Sequence, residues 1–361
     1  MKYEEILKEQ FNNIVDEDKT DSISEYASNL SNGLSDKYTL DNILNATLSG
    51  ESIFDANDII DSLKELLLYE IKASIILGIE ILTICIIVGL LKNLSNSFGN
   101  KSVSEIALLV CTVVVIGLCI NNFKTIFILT QNTISTLCYT MEILLPIMLI
   151  ILVSMGAIAS GTIMSPVLIT SITIFAALMK NVILPTLFIS TILVLINCLT
   201  EKDYVNKLSK FLRNASIFVT GLIITILSGI IAIQGLITDT SDGLLMGTAR
   251  YSLDKFIPIV GGFTSDTIEL FVKCMGSIKN IIGVFGMIII VILILVPLLK
   301  ILAVAIVYKI TALLIEPIGD SKLSNAVNDM GTSLLSMGAL LFFSSLLFII
   351  FFTTIINLGG V

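Results

Sequence analysis

Between positions 73 and 356 the chain is dominated by unbroken runs of Ile, Leu, Val, Phe and Ala rather than by alternation of polar and apolar residues. A helix needs about 20 largely apolar residues to cross hydrocarbon. Such windows occur seven times, at Ala73–Leu91, Val103–Ile120, Ile143–Ala159, Val182–Leu199, Ala215–Ile237, Ile281–Val307 and Ser333–Ile356. A shorter apolar run, Val167–Met179, opens after Pro166 and closes at Lys180 and Asn181, which predicts either a short eighth span or half of a re-entrant pair. Backbone amides in lipid must find partners within the fold, so only helices or a closed barrel can span, and runs without a period of two exclude the barrel.

Composition agrees: 55% of residues are hydrophobic, 14% are charged and the mean hydropathy is +0.98, beyond what soluble domains of this length reach. The expected fold is all-α, a polytopic helical membrane protein of about seven spans plus short or re-entrant segments, with a small acidic helical N-terminal region.

Charge divides the chain. Residues 1–72 hold sixteen Asp and Glu against six Lys, whereas residues 73–361 are slightly basic. Three apolar stripes at helical spacing run through the acidic part: Tyr3, Ile6, Leu7, Phe11, Ile14 and Val15, then Leu40, Ile43, Leu44 and Leu48, then Ile59, Ile60, Leu63, Leu66 and Leu67. They predict three short amphipathic helices, the last running into the first span. This region, 1–72, is expected to cap the membrane domain, 73–361, or to dock a partner. "MKYEEILKEQ" has no apolar signal-peptide core. Among short loops the strongest basic cluster is Lys202, Lys207, Lys210 and Arg213, which marks a cytoplasmic side. With Val167–Met179 counted as a span, five spans precede it and residues 1–72 are expected outside; without it they fall inside. The outside placement is the favoured expectation.

Enzyme chemistry is poorly supplied. Six Cys occur without a C-x-x-C and His is absent, which removes the commonest general base and the Ser-His and Cys-His pairs. No nucleotide-binding glycine loop or zinc motif is present. No cofactor, metal or catalytic residue is expected, nor any nucleic-acid partner.

The informative polar residues lie inside apolar sequence. Glu80 and Lys300 would each cost about 2.5–3.5 kcal/mol facing lipid at the bilayer centre. They are expected to face protein or water, either as a pair or with Lys300 reaching an interface after Pro297 and Glu80 meeting hydroxyls. In "FKTIFILTQNTISTLCYTME", Phe123 to Glu142, apolar residues follow helical spacing while Gln131, Asn132, Ser135, Thr136 and Thr140 gather on another face. Such a helix lies at the interface, lines a hydrated passage or packs its polar face against other helices. Small residues at Gly221, Thr225 and Gly229, and at Gly156 with Ser160, predict close helix contacts.

Two Gly and Pro breaks, "SMGAIASGTIMSP" and "FIPIVGG", resemble the discontinuities that transporters place at the bilayer midplane. Around the second, Arg250 and Asp254, like Glu269 and Lys273, are four apart and share a helix face. Pro258 restricts its predecessor, Gly261 and Gly262 permit a sharp turn, and Thr264 or Ser265 suits a following N-cap. Helix, turn, helix is predicted, at the membrane surface or re-entering it. A comparable break spans Ile315–Gly331, where Glu316 precedes Pro317 and Asp320 can cap the next segment.

The strings "GLLMGTARYSLDKFIPIVGGFTSDTIE", "IKNIIGVFG" and "EPIGDSKLSNAVNDMG" resemble the stage III sporulation protein AE family of endospore-forming bacteria. The resemblance covers most of the chain, although members usually begin with a signal sequence. It implies a membrane core subunit, permease-like or of an export gate, in a secretion-like channel complex of the mother-cell membrane around the forespore, needed for late forespore gene expression. It also implies partner proteins, among them a cytoplasmic ATPase and ring-forming proteins, and a homo-oligomer in the lipid bilayer. The loop residues that carry the resemblance, Arg250, Asp254, Lys255, Pro258, Gly261, Gly262, Asp266, Glu316, Pro317, Gly319 and Asp320, are the candidate sites it adds to Glu80, Gln131, Asn132, Ser135 and Lys300. A self-sufficient secondary transporter and a non-conducting scaffold are the alternatives; the two halves of the chain show no convincing duplication.

Overall fold

The computed structural model describes residues 42, 56–98, 101–199, 205–256, 261–317 and 321–358. The first two amphipathic stripes of the acidic region lie outside these residues. Helix α1 (Ala56–Phe98) carries the third stripe straight into the first span, with no break at residues 72 and 73. It is followed by α2 (Lys101–Ser154), α3 (Ile158–Leu178), a π-helical turn at Met179–Ile183, α4 (Leu184–Cys198), α5 (Asn206–Phe256), α6 (Gly261–Ile315) and α7 (Ser321–Asn357). No strand occurs among the described residues.

Among the described residues six helical rods are long and apolar enough to cross a membrane, not seven or eight separate segments. The apolar runs Val103–Ile120 and Ile143 onward belong to one helix, α2. Hydropathy falls between them at Asn121, Asn122 and Lys124, yet no Gly or Pro occurs from Leu118 to Leu145 to stop the helix. The Thr133, Ser135, Thr136 and Thr140 hydroxyls donate to their own helix's carbonyls four residues back, so polar side chains there take nothing from the backbone ladder. Val167–Met179 likewise joins Val182–Leu199 in a rod from Ile158 to Cys198. Pro185 cannot donate to the preceding turn, and the wider π turn before it takes up the mismatch.

At 54 residues α2 is about 80 Å long, well beyond a hydrocarbon core of about 30 Å, so the rods extend past the bilayer. Connections are short and successive rods run antiparallel. Three rods precede α5, so the starts of α1 and α5 point to opposite ends of the bundle.

The core is built around α6, whose span is 72% buried, against 22% for α5. Helix α6 packs on α1, α2 and α7, and α7 offers it Leu334, Met337, Leu341, Phe348 and Phe352 at intervals of three, four and seven residues. Close approach depends on glycine: a β-carbon at Gly283 would run into Ile356 and one at Gly286 into Phe352. The small residues singled out in the sequence behave differently. Gly221 and Gly229 have no atoms within 4 Å of where a β-carbon would lie, and Thr225 is exposed, so this stripe faces outward from α5. Gly156 lies not in a helix but between α2 and α3.

That junction is a Schellman turn. The Ala157 amide donates to the Leu152 carbonyl and the Gly156 amide to that of Val153, with Gly156 at φ 91°, a left-handed conformation that suits glycine. Ala157, at the N-cap of α3, has no side chain able to receive the helix's free amides. Asp242 of α5 supplies the acceptors instead: Ala159 N–H donates to its Oδ1 at 2.7 Å and Ser160 N–H to its Oδ2 at 2.9 Å. A carboxylate at a helix N-terminus satisfies orphan donors and opposes the positive end of the helix dipole. "SMGAIASGTIMSP" is therefore a turn between rods, not a midplane break, and Pro166 lies inside α3.

Candidate functional site

Three groups of polar side chains stand out in this apolar bundle. The first is a stripe on α2. Asn121, Lys124, Thr125, Asn132, Tyr139 and Glu142 are exposed, and Gln131, Ser135 and Thr136 half-exposed, while Phe123, Ile126, Ile134, Leu137 and Met141 are buried. From Gln131 to Glu142 the polar residues repeat every three to four positions, and Lys124 and Thr125 extend the same face across an interruption at the exposed Ile128, for about 27 Å between Lys124 and Glu142. It faces away from the bundle, not toward other helices of the same chain. Gln131, Asn132 and Ser135, picked out from the sequence, belong to it; Lys124 and Glu142 extend it at both ends. Glu142 follows Tyr139 at the same spacing, whereas Lys124 is set off from Gln131 by two full turns with Ile128 between them.

The second group concerns Glu80 and Lys300. Lys300 Nζ lies 3.8 Å from Glu70 Oε2, and Glu80 does not join it. Ten residues along a helix amount to about 15 Å of rise and most of three turns, which carries Glu80 to a different face from Glu70. It lies exposed beside Ile76, Ile79 and Ile87, in the middle of the α1 span. Outward carboxylates and ammonium groups in a span need water or a partner. The sequence-level pairing of Glu80 with Lys300 is thus replaced by one with Glu70, which lay beyond the apolar window and so escaped notice.

The third group lies where α4 ends and α5 and α7 begin. A pocket of about 360 Å³ opens there, lined by residues that include Asn197, Lys210, Lys322, Asn325, Asn328 and Asp329. Its walls are tied together. Ser190 Oγ donates to the Ser209 carbonyl at 2.7 Å, joining α4 to α5, and Ser324 Oγ donates to the Ala312 carbonyl at 2.9 Å, joining α7 to α6. Lys309 of α6 donates to Asn328 Oδ1 at 2.8 Å and Thr332 Oγ1 at 2.6 Å. Of these residues Lys210 had been noted in the sequence as part of a basic loop, and Lys322 to Asp329 as part of the string that carries the family resemblance; the pocket joins positions more than a hundred residues apart.

Of the loop residues, Arg250, Asp254 and Lys255 fall in the last turns of α5 and Gly261, Gly262 and Asp266 in the first turns of α6. Helices stand on both sides, and the connection between them, residues 257–260, lies outside the described residues. Pro258 and the side chains of the other six lie outside the described residues. Helix α6 already begins at Gly261, so Thr264 and Ser265 lie within its first turns instead of capping it. Glu316 and Pro317 form an exposed turn between α6 and α7; Gly319 and Asp320 are outside the described residues. The turn after α2 lies toward one end of the bundle, where Gly276 of α6 approaches Met155, and the pocket lies toward the other. Among the described residues no group of His, Cys, Asp and Glu is arranged to hold a metal ion.

Long apolar rods, a buried helical core and a polar outer face define the class: a polytopic α-helical membrane protein. Within that class, the family model described as stage III sporulation protein AE matches residues 38–359, and the chain belongs to that family. It is similar to stage III sporulation protein AE of Bacillus subtilis (strain 168), with 27% identity over 313 residues, covering 87% of this chain and 78% of the relative. No solved structure matches it.

Proposed function

We propose that this chain is a membrane-embedded core subunit of a secretion-like channel complex joining mother cell and forespore, and that the polar face of α2 borders a hydrated path formed between copies. Family membership supports the sporulation role. The observation that carries the channel reading is the outward stripe from Lys124 to Glu142. A charge exposed to lipid costs about 2.5–3.5 kcal/mol at the bilayer centre and less toward either interface, and the amides and hydroxyls between Lys124 and Glu142 would face hydrocarbon as well; turned toward a shared aqueous centre, the stripe costs little. Glu80 on α1 asks for the same kind of shelter. In this reading the chain sits in the mother-cell membrane around the forespore, with residues 1–72 extracytoplasmic. It works without catalysis of its own, beside a cytoplasmic ATPase and ring-forming proteins, and late forespore gene expression depends on it.

Cysteine scanning in a chain freed of its native cysteines tests this in sporulating cells. Single cysteines at Asn132, Ser135 and Glu142 are expected to react with a membrane-impermeant thiol reagent, and cysteines at the exposed apolar positions Phe218, Ile226 and Ile233 of α5 to stay unreactive. Labelling should also impair a late forespore reporter. If the α2 positions are as inert as those of α5, or if Asn132→Leu with Ser135→Leu leaves the reporter at full strength, the path does not run along α2 and a scaffold role replaces it.

A further inference from the structure

We propose that Lys180, on the π-helical turn between α3 and α4, is the group that draws anions into the middle of the path along α2. The assignment rests on that path being hydrated, and it adds a residue from another rod and a sign of charge for what passes.

Lys180 stands where a lysine is least at home. The apolar runs Val167–Met179 and Val182–Leu199 flank it within one continuous rod. About 20 Å of apolar helix separates it from the nearer end of those runs, several times the reach of its side chain. It is half-exposed, while Met179 and Ile183 of the same turn are buried. No salt bridge joins it to a described residue. A charge held so deep needs water or a partner.

Packing fixes what lies opposite. The rod from Ile158 to Cys198 runs antiparallel to α2 and is pinned to it at two levels. The Phe188 ring lies 5.8 Å from that of Phe123 and 5.1 Å from that of Phe127, and a β-carbon at Gly161 would run into Val153. Counting eight residues back from Phe188, or nineteen on from Gly161, brings Lys180 to about the level of Thr133. Helical side chains lean toward their own N-terminus. In an antiparallel pair Lys180 therefore leans toward the level of Ser135 and Tyr139, and Glu142 leans back toward it. Both charges act on the buried Cys138 thiol, Lys180 the more strongly.

The two rods also face each other at the right angle. At about 100° per residue, Gln131, Glu142 and Ser135 stand about 40°, 60° and 80° round α2 from Phe127, so the edge of the polar stripe adjoins the side that carries Phe188. Eight α-helical steps back from Phe188 would leave Lys180 about 80° off the line to α2. The wider π turn rotates less per residue and swings it back. The turn that accommodates Pro185 thus also aims Lys180 at the stripe. Gln131, Asn132, Ser135 and Thr136 are uncharged, so the ammonium adds a positive potential there, and such a potential in a narrow passage enriches anions.

The test uses the full chain without native cysteines, carrying Ser135→Cys, in sporulating cells. Two impermeant methanethiosulfonates of similar size are compared by rate, one a sulfonate and one a trimethylammonium. Adding Lys180→Gln should slow the anionic reagent and speed the cationic one about threefold each, a change of about tenfold in their ratio. Lys180→Arg should keep the parent ratio. Lys180→Met, whose side chain suits an apolar rod, gives the same comparison if the glutamine variant does not accumulate. At Asn121→Cys, about 18 Å farther along α2 and beyond the screening length, removing the charge should change the ratio by less than about twofold. If both reagents react at Ser135→Cys and the ratio ignores the loss of the Lys180 charge, Lys180 lies outside the path, which itself stands. If neither reagent reacts there, the path is lost and the role of Lys180 with it.

Discussion

Asp242 and the α2 stripe are both polar features of an apolar chain, and the bundle treats them in opposite ways. Asp242 is buried at 5% exposure, and both its oxygens accept backbone amides of α3. Lys279 is handled alike, donating to the Leu358 carbonyl at 2.5 Å from a site 3% exposed. On α2, by contrast, Lys124, Asn132 and Glu142 are exposed, and the stripe's hydroxyls bond only to their own helix. Polarity that closes a helix end inside the bundle serves the fold. Polarity turned outward along a span must be answered by water or by another molecule, which is why the functional reading rests on α2 and not on the buried carboxylate.

This contrast is testable in stability. Asp242→Ala should have the largest effect, removing two charge-assisted hydrogen bonds and exposing two orphan amides, for a loss of about 3 kcal/mol in thermal unfolding; Asp242→Asn should recover part of it. If Asp242→Ala unfolds at the parent temperature, the carboxylate is not a pin. Next comes Gly286→Leu, which drives a side chain into Phe352 and should cost about 2 kcal/mol, read from the same melt. Lys300→Met should matter less, below about 1 kcal/mol, because the pair with Glu70 is long and its lysine 42% exposed. Smallest of all should be Asn132→Leu, within about 0.5 kcal/mol, while the forespore reporter falls. A destabilisation by Asn132→Leu as large as that of Asp242→Ala would make the stripe structural and erase the contrast.

Much of the fold was legible because lipid imposes one strong rule. Apolar runs long enough to span must be helical, and the polar face at Gln131, Asn132 and Ser135 followed from helical spacing alone. The number of rods was less legible. Hydropathy windows respond to side-chain polarity, whereas a helix stops only where its backbone is blocked, so Asn121 and Lys124 split α2 on paper but not in space. The break at Gly156 was visible, but that it is a turn between two rods was not.

The amino-acid sequence by itself determined the solvent, the secondary structure and the family, since each depends on composition and pattern within short windows. Only the tertiary structure decided which charges are answered: Asp242 by the amides of α3, Lys300 by Glu70 instead of Glu80, Arg213 at Nη1 by no hydrogen-bond partner. Partners of this kind are brought together by the packing of distant helices, and spacing along the chain carries no record of which rod will stand beside which.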